Sequence, residues 1–160
     1  MQPAAANIRW LPPTVEETKV DGDKIIVTLD TEAYAYNSGP IYGFAIAGSD
    51  KKLYPAQANY LVDEKKNTIP SVIVLTSPFV AEPVAYRYGW HRNPMGNLKI
   101  SSCELPLPIS RSDSWSMNDL YEAYTGKRTA SETELNRAER VALDRALRTA
   151  DRQRRFKEAE

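Results

Sequence analysis

The chain contains a single histidine, His91, and a single cysteine, Cys103, so nucleophilic or metal chemistry would have to rest on very few groups. A serine hydrolase needs a nucleophile, a base and a carboxylate that fixes the tautomer of the base. Serines and Asp113 are present, but there is no Gly-x-Ser-x-Gly elbow, and the residue three before His91 is Tyr88 rather than an acid. His91 therefore reads as a loop histidine, and the sequence assigns no catalytic residue. A zinc or calcium site would need more histidines, cysteines or clustered carboxylates, so no metal or other cofactor is expected. Cys103 has no activating histidine or helix start beside it and reads as a packed or idle thiol. Aromatic and amide side chains are the better candidates. Tyr34, Tyr36 and Trp90 could stack on the apolar face of a sugar while Asn93 and Asn97 bond its hydroxyls. Ordinary packing competes at each ring, and at Trp90 most of all. Arg111, Asp113 and Trp115 have the pattern of residues that tie down a loop, each charge-assisted hydrogen bond contributing roughly 1.5–3 kcal/mol.

The elements that must hold these groups are mostly strands. Tyr86, Tyr88 and Trp90 alternate with Ala85, Arg87 and Gly89, the period of a half-buried strand. Asn93-Pro94, Gly96-Asn97, Pro106 and Pro108 then break any ladder, since proline lacks a donor and restricts its predecessor. Upstream, Asp21-Gly22 marks a tight hairpin between Thr18-Lys19-Val20 and Lys24–Leu29. Strands follow over Ile41–Ala47, Leu53–Leu61, the buried β-branched run Ser71–Leu75, and Val84–Trp90, with a wide loop over Tyr34–Pro40. Short strands with no helical pattern between them argue for a mainly β fold, an antiparallel β-sandwich, Ig-like or jelly-roll-like. From Ser116 the period becomes helical. Ser116-Met-Asn-Asp119 and Ser131-Glu-Thr-Glu134 read as capping boxes, and Gly126 stops the first helix. Leu135, Ala138, Ala142, Ala146 and Leu147 form one apolar stripe on the second, which should pack as a strut. The organisation is thus a linker or added segment at 1–13, a β-sandwich at 14–115 and C-terminal α-helices at 116–160.

At 160 residues the chain can form one domain of moderate size, burying roughly 70% of its unfolded surface. Its 21 acidic and 21 basic residues cancel, so nothing draws the molecule as a whole to nucleic acid or anionic lipid. No run of about 18 apolar residues could span a membrane. The first residues, MQPAAANIRWLPP, lack a basic region followed by an apolar one, so they do not read as a secretory signal.

Ordered blocks of the chain resemble a known family. RYGWHRNPMGNL followed by ELPLPISRSDSW is similar to the C-terminal region of bacterial sialate O-acetylesterases, which are SGNH-type carbohydrate esterases. In that family a strand ending in Tyr-x-Trp runs into an Asn-Pro turn, a Leu-Pro segment and an Arg-x-Asp-x-Trp ending. Gly43-Phe44-Ala45-Ile46-Ala47-Gly48 with Ser49-Asp50-Lys51-Lys52 resembles another of its strands and turns, and the similarity covers about residues 15–115. The family's catalytic serine sits in a Gly-Gln-Ser-Asn block and its histidine in an Asp-x-x-His block; neither occurs here. The resemblance implies a non-catalytic sandwich that supports or lines an upstream SGNH-type hydrolase domain, inactive by itself, in a parent of a family often secreted or periplasmic. An independent carbohydrate-binding module, with a glycan as partner, is the alternative.

Overall fold

A two-residue turn, Gly22-Asp23 with Gly22 at φ 61°, joins β1 (Val15–Asp21) to β2 (Lys24–Leu29), and Asp21 faces Lys24 across it. The fold comes from a computed structural model, which describes residues 11–90, 95–100, 104–126 and, singly, 141, 144, 145 and 148. The strands that follow are β3 (Tyr34–Ala35), β4 (Phe44–Ala47), β5 (Leu53–Pro55), β6 (Gln57–Val62), β7 (Thr68–Thr76), β8 (Ala85–Tyr88), β9 (Leu98–Lys99) and β10 (Ser110–Arg111). They form two four-stranded antiparallel sheets, in the orders β1-β2-β7-β6 and β10-β8-β4-β5, with β3 and β9 paired beside them. The first order is the A-B-E-D sheet of an immunoglobulin sandwich; the second is its G-F-C sheet with β5 added at the C edge. The chain is an Ig-like β-sandwich with a C-terminal helix, not a jelly roll.

The core lies between the sheets. Ile25, Val27, Leu29, Ile73 and Leu75 come from one face, and Phe44, Ile46, Tyr86 and Tyr88 from the other, all buried. Alternation sets this division, because successive strand residues point to opposite faces. The run Ser71–Leu75 is consequently not buried throughout: Ile73 and Leu75 face the core, Val72 and Val74 are half-buried on the other side, and Ser71 is half-buried too. The stretch 53–61 is two strands rather than one. It breaks at the buried Ala56, where the chain leaves the second sheet for the first. Residues 34–40 are not a plain loop either, since Tyr34 and Ala35 pair with Lys99 and Leu98, and Tyr36–Ser38 make a 3₁₀ turn. That ladder joins segments some sixty residues apart, and no local pattern encodes it.

Outward-facing Ala45 and Ala47, with Leu53, form a small second core under α1 (Met117–Thr125). The helix begins with a complete capping box. Asp119 N–H donates to Ser116 Oγ at 3.2 Å, and Ser116 N–H donates to Asp119 Oδ2 at 2.8 Å. It ends at Gly126, in the left-handed region at φ 70°. Leu120 packs on Ala47 and Leu53, with Trp115, Met117 and Tyr124 around it. Tyr124 also closes the open edge of β5: its hydroxyl accepts from Leu53 N–H at 2.8 Å and donates to Leu53 O at 3.1 Å. Burial pushes this hydroxyl up to about 12, against the lowering effect of the Leu53 bond, so it stays a donor at neutral pH. Tyr124→Phe removes both bonds and should cost about 1–3 kcal/mol. Urea unfolding with amide exchange at Leu53 would measure it; an unchanged midpoint would mean that α1 does not depend on this contact. Positions 141, 144, 145 and 148 are helical. The stripe from Leu135 to Leu147 and the Ser131 capping box lie outside the described residues.

Candidate functional site

Two connections meet at one end of the sandwich, residues 30–43 between β2 and β4 and residues 89–109 between β8 and β10. In immunoglobulin sandwiches the corresponding B–C and F–G loops share an end and carry binding residues in variable domains. Here their described residues are bonded to each other at several points. Beyond the β3–β9 ladder, Tyr36 N–H donates to Asn97 O at 3.0 Å and Gly89 N–H to Gly43 O at 3.0 Å. The Asn97 side chain clamps both sides of the join. Its Oδ1 accepts from Tyr42 N–H at 2.7 Å, and its Nδ2 donates to Pro40 O at 2.7 Å. Below it the buried Tyr88 hydroxyl accepts from Leu98 N–H at 3.1 Å, and burial pushes that phenol up to about 12.

The structure brings Tyr34, Tyr36 and Asn97 together on this join. Tyr34 is exposed, its hydroxyl donating to Glu32 Oε2 at 2.8 Å; that hydrogen bond, with burial and the Glu32 charge, raises its pKa. Tyr36 is also exposed and has Lys99 Nζ 4.5 Å from its ring centre. Lys99 pairs in turn with Glu104, whose carboxyl the Lys99 hydrogen bond and charge hold below the usual carboxylate range. Asn97 is half-buried, and its amide holds the join together. Asn93 and His91 lie outside the described residues.

Trp90 belongs to a second constellation, which also holds Arg111, Asp113 and Trp115. Gly89, at φ 63°, turns the chain at the end of β8. The Trp90 ring then covers two guanidiniums that sit opposite each other across the β8–β10 pair. Arg87 Cζ is 5.2 Å and Arg111 Cζ 4.9 Å from its centre. Arg87 is 3% exposed and grips Asp113 with a two-pronged pair, Nε to Oδ2 at 2.8 Å and Nη2 to Oδ1 at 2.6 Å. Asp113 Oδ1 also accepts from Trp115 N–H at 3.0 Å and stands 3.8 Å from Arg111 Nη1, which donates to Trp115 O at 3.2 Å. Burial raises the Asp113 pKa, but the hydrogen bonds and charge of Arg87, with the Trp115 amide and Arg111, outweigh it and hold the carboxyl below its ordinary value. Trp90 itself is 37% exposed.

Sequence reasoning missed Arg87, the hub of this cluster. The signal was available, since an arginine between Tyr86 and Tyr88 faces away from the core, and a buried arginine there needs a carboxylate such as that of the nearby Arg-x-Asp segment. It also missed Lys99, Glu32 and the exposed Tyr42.

No protein-family model and no curated protein matches the chain. A solved structure does, the crystal structure of a novel carbohydrate acetylesterase from Xanthomonas citri, with a TM-score of 0.56 and 32% sequence identity. The chain is similar to part of a carbohydrate acetylesterase. The match covers 64% of the chain and 22% of the acetylesterase, so the chain corresponds to about a fifth of that protein.

Proposed function

We propose that this chain serves as a non-catalytic C-terminal β-sandwich of a sialate O-acetylesterase-like carbohydrate esterase, with residues 14–115 as the sandwich and 116–160 as its helical extension. The partner of this reading is an upstream SGNH-type hydrolase domain, which the sandwich supports or whose cleft it lines. One observation carries the reading: the likeness to the carbohydrate acetylesterase extends over 22% of that protein, while the present sequence has neither a Gly-Gln-Ser-Asn nor an Asp-x-x-His block. The geometry of the second constellation is in keeping with it, because the Asp113 oxygens are taken up by Arg87 and the Trp115 amide, with Arg111 beside them. A triad carboxylate holds the imidazole of its base; this one holds a guanidinium. The exposed rings of Tyr34, Tyr36 and Trp90 favour the second reading, an independent carbohydrate-binding module.

The purified chain should show no hydrolysis of p-nitrophenyl acetate above buffer. Turnover that disappears in His91→Ala would overturn the non-catalytic assignment.

A further inference from the structure

The edges of the two large sheets are closed unequally. At β5 the Tyr124 hydroxyl takes up Leu53, and β6 carries the Ile41–Ala58 bridge. β1 pairs with β2 on one side and, among the described residues, with nothing on the other. It is seven residues long and exposed from Glu16 to Asp21. Thr18 lies opposite the buried Val27 and Val20 opposite the buried Ile25, so both point to the core side of the sheet. Both are nevertheless exposed, Val20 by 50%, so the second sheet does not reach beneath this edge. There is room beside β1 for another strand. In a two-residue hairpin the pair that closes the turn exchanges both backbone bonds, and the ladder alternates from there. Asp21 and Lys24 close this one. Lys19 and Glu17 therefore turn their N–H and C=O groups to β2, while Val20 and Thr18 turn theirs to the open side.

Open edges invite further strands, and natural proteins blunt them with bulges or charges. A register shift between Val15 and Glu17 blunts one end of β1. The charges do not blunt the rest, because in one register they are self-complementary. Glu17 and Lys19 share the outer face, opposite Thr28 and Ile26. Among the described residues, no hydrogen bond or ion pair engages either side chain. We propose that β1 pairs antiparallel with β1 of a second copy of this chain, about a two-fold axis at Thr18. Each Glu17 then faces Lys19 of the partner subunit, and the two four-stranded sheets run together into one. Moving the axis to Lys19 would set lysine against lysine and Glu17 against Asp21 of the partner subunit. Moving it to Val20 would overlap only residues 19–21 before the turn begins. Unlike charges directly opposite support a strand pair and like charges destabilise it, so the register at Thr18 wins. One strand from each copy buries less than the roughly 1,200 Å² of a standard interface, so the dimer is a weak and reversible one.

Sedimentation equilibrium of the full chain, from micromolar concentrations to about 1 mM, measures the association. The wild-type protein should dimerise, and less tightly at high salt, which screens the exposed pairs. Lys19→Glu and Glu17→Lys each turn both cross-strand pairs into like-charge contacts, so each should weaken the dimer at least about tenfold. The double variant, Glu17→Lys with Lys19→Glu, restores both attractions in reversed order and should return to within about threefold of wild type. Both positions are exposed, so the fold should survive, and each variant is melted first to show it. Amide exchange locates the contact. Thr18 and Val20 should gain protection as concentration rises, whereas the Lys19 amide, turned to β2, should be protected throughout. A chain that stays monomeric at about 1 mM overturns the dimer. So do single variants that associate like wild type, a double variant no tighter than the singles, or rising protection at another edge in place of Thr18 and Val20.

Discussion

Asp113→Ala should cost about 3–5 kcal/mol, because it strands the buried Arg87 guanidinium without its carboxylate. Arg87 is 3% exposed and the Asp113 side chain 1%, so water can replace very little of what is lost. Both prongs of Arg87 and the Trp115 amide end on this one carboxylate, and Arg111 stands beside it. The melting temperature should fall by roughly 10 °C or more. The loss measures a stranded charge and not the net worth of the pair. Replacing both partners, Arg87→Met with Asp113→Leu, should therefore recover much of it. A double variant as unstable as Asp113→Ala alone would sink this account. Lys51–Asp119, at 2.9 Å but more than a third exposed on each side, should contribute no more than about 1 kcal/mol. The pH dependence follows the same carboxylates. The Asp113 carboxyl lies below its ordinary 3.8, so its stabilisation is complete above that value and is lost as pH falls through the folded one. Asp119, lowered to about 2 first by Lys51 and then by Ser116, acts in the same sense. The wild-type melting temperature should drop between pH values of about 4 and 2, and Asp113→Ala should show a shallower drop.

The elements the sequence announces are those whose signal is local. The hairpin at Gly22, the strands at 24–29 and 85–88, and the Ser116–Asp119 box each rest on signals within a few residues, and the structure has them, though β8 is buried on both faces rather than half-buried because Arg87 is covered as well. What stayed hidden depends on partners far along the chain. Tyr34–Ala35 looks like loop until Leu98–Lys99 supplies its ladder, and Leu53–Leu61 looks like one strand because both of its halves are extended. The switch at Ala56 follows from which sheet each half meets. The candidate residues show the same divide. Their types were readable, but their grouping was not, because Trp90 joins Arg111 and Asp113 only once β8 lies beside β10. Asn97 illustrates the cost of reading type alone. An exposed amide near tyrosines suggests sugar hydroxyls, yet its two polar atoms hold Pro40 and Tyr42.

The join between the two loops makes a second large effect predictable, at Gly43. This residue lies just before β4 with φ 99°, and a Cβ there would stand 2.7 Å from Gly96 Cα and 3.2 Å from the Tyr88 ring. The nearest obstacle is backbone, so no side chain can swing aside to make room. Gly96 cannot retreat downward, since a Cβ of its own would already meet the Tyr88 hydroxyl at 2.5 Å, and Tyr88 is fixed against Phe44 with ring centres 4.5 Å apart. In Gly43→Ala the positive φ should cost roughly 1–2 kcal/mol and the overpacking about 1–3 kcal/mol. Relief has to come from lifting residues 95–97 away, which pulls on the Asn97 clamp and on the Gly89–Gly43 bond. Gly22→Ala is the control, because Gly22 also has positive φ but nothing within 4 Å of its virtual Cβ. It should show the conformational cost alone. Urea unfolding of both variants gives the difference, and amide exchange at Tyr36, Tyr42 and Leu98 locates it. If Gly43→Ala costs no more than Gly22→Ala and those three amides keep their protection, the two loops are not held by this backbone contact. If the extra cost appears and the three amides exchange together, the B–C and F–G loops behave as one unit, presenting Tyr34 and Tyr36 from a rigid floor.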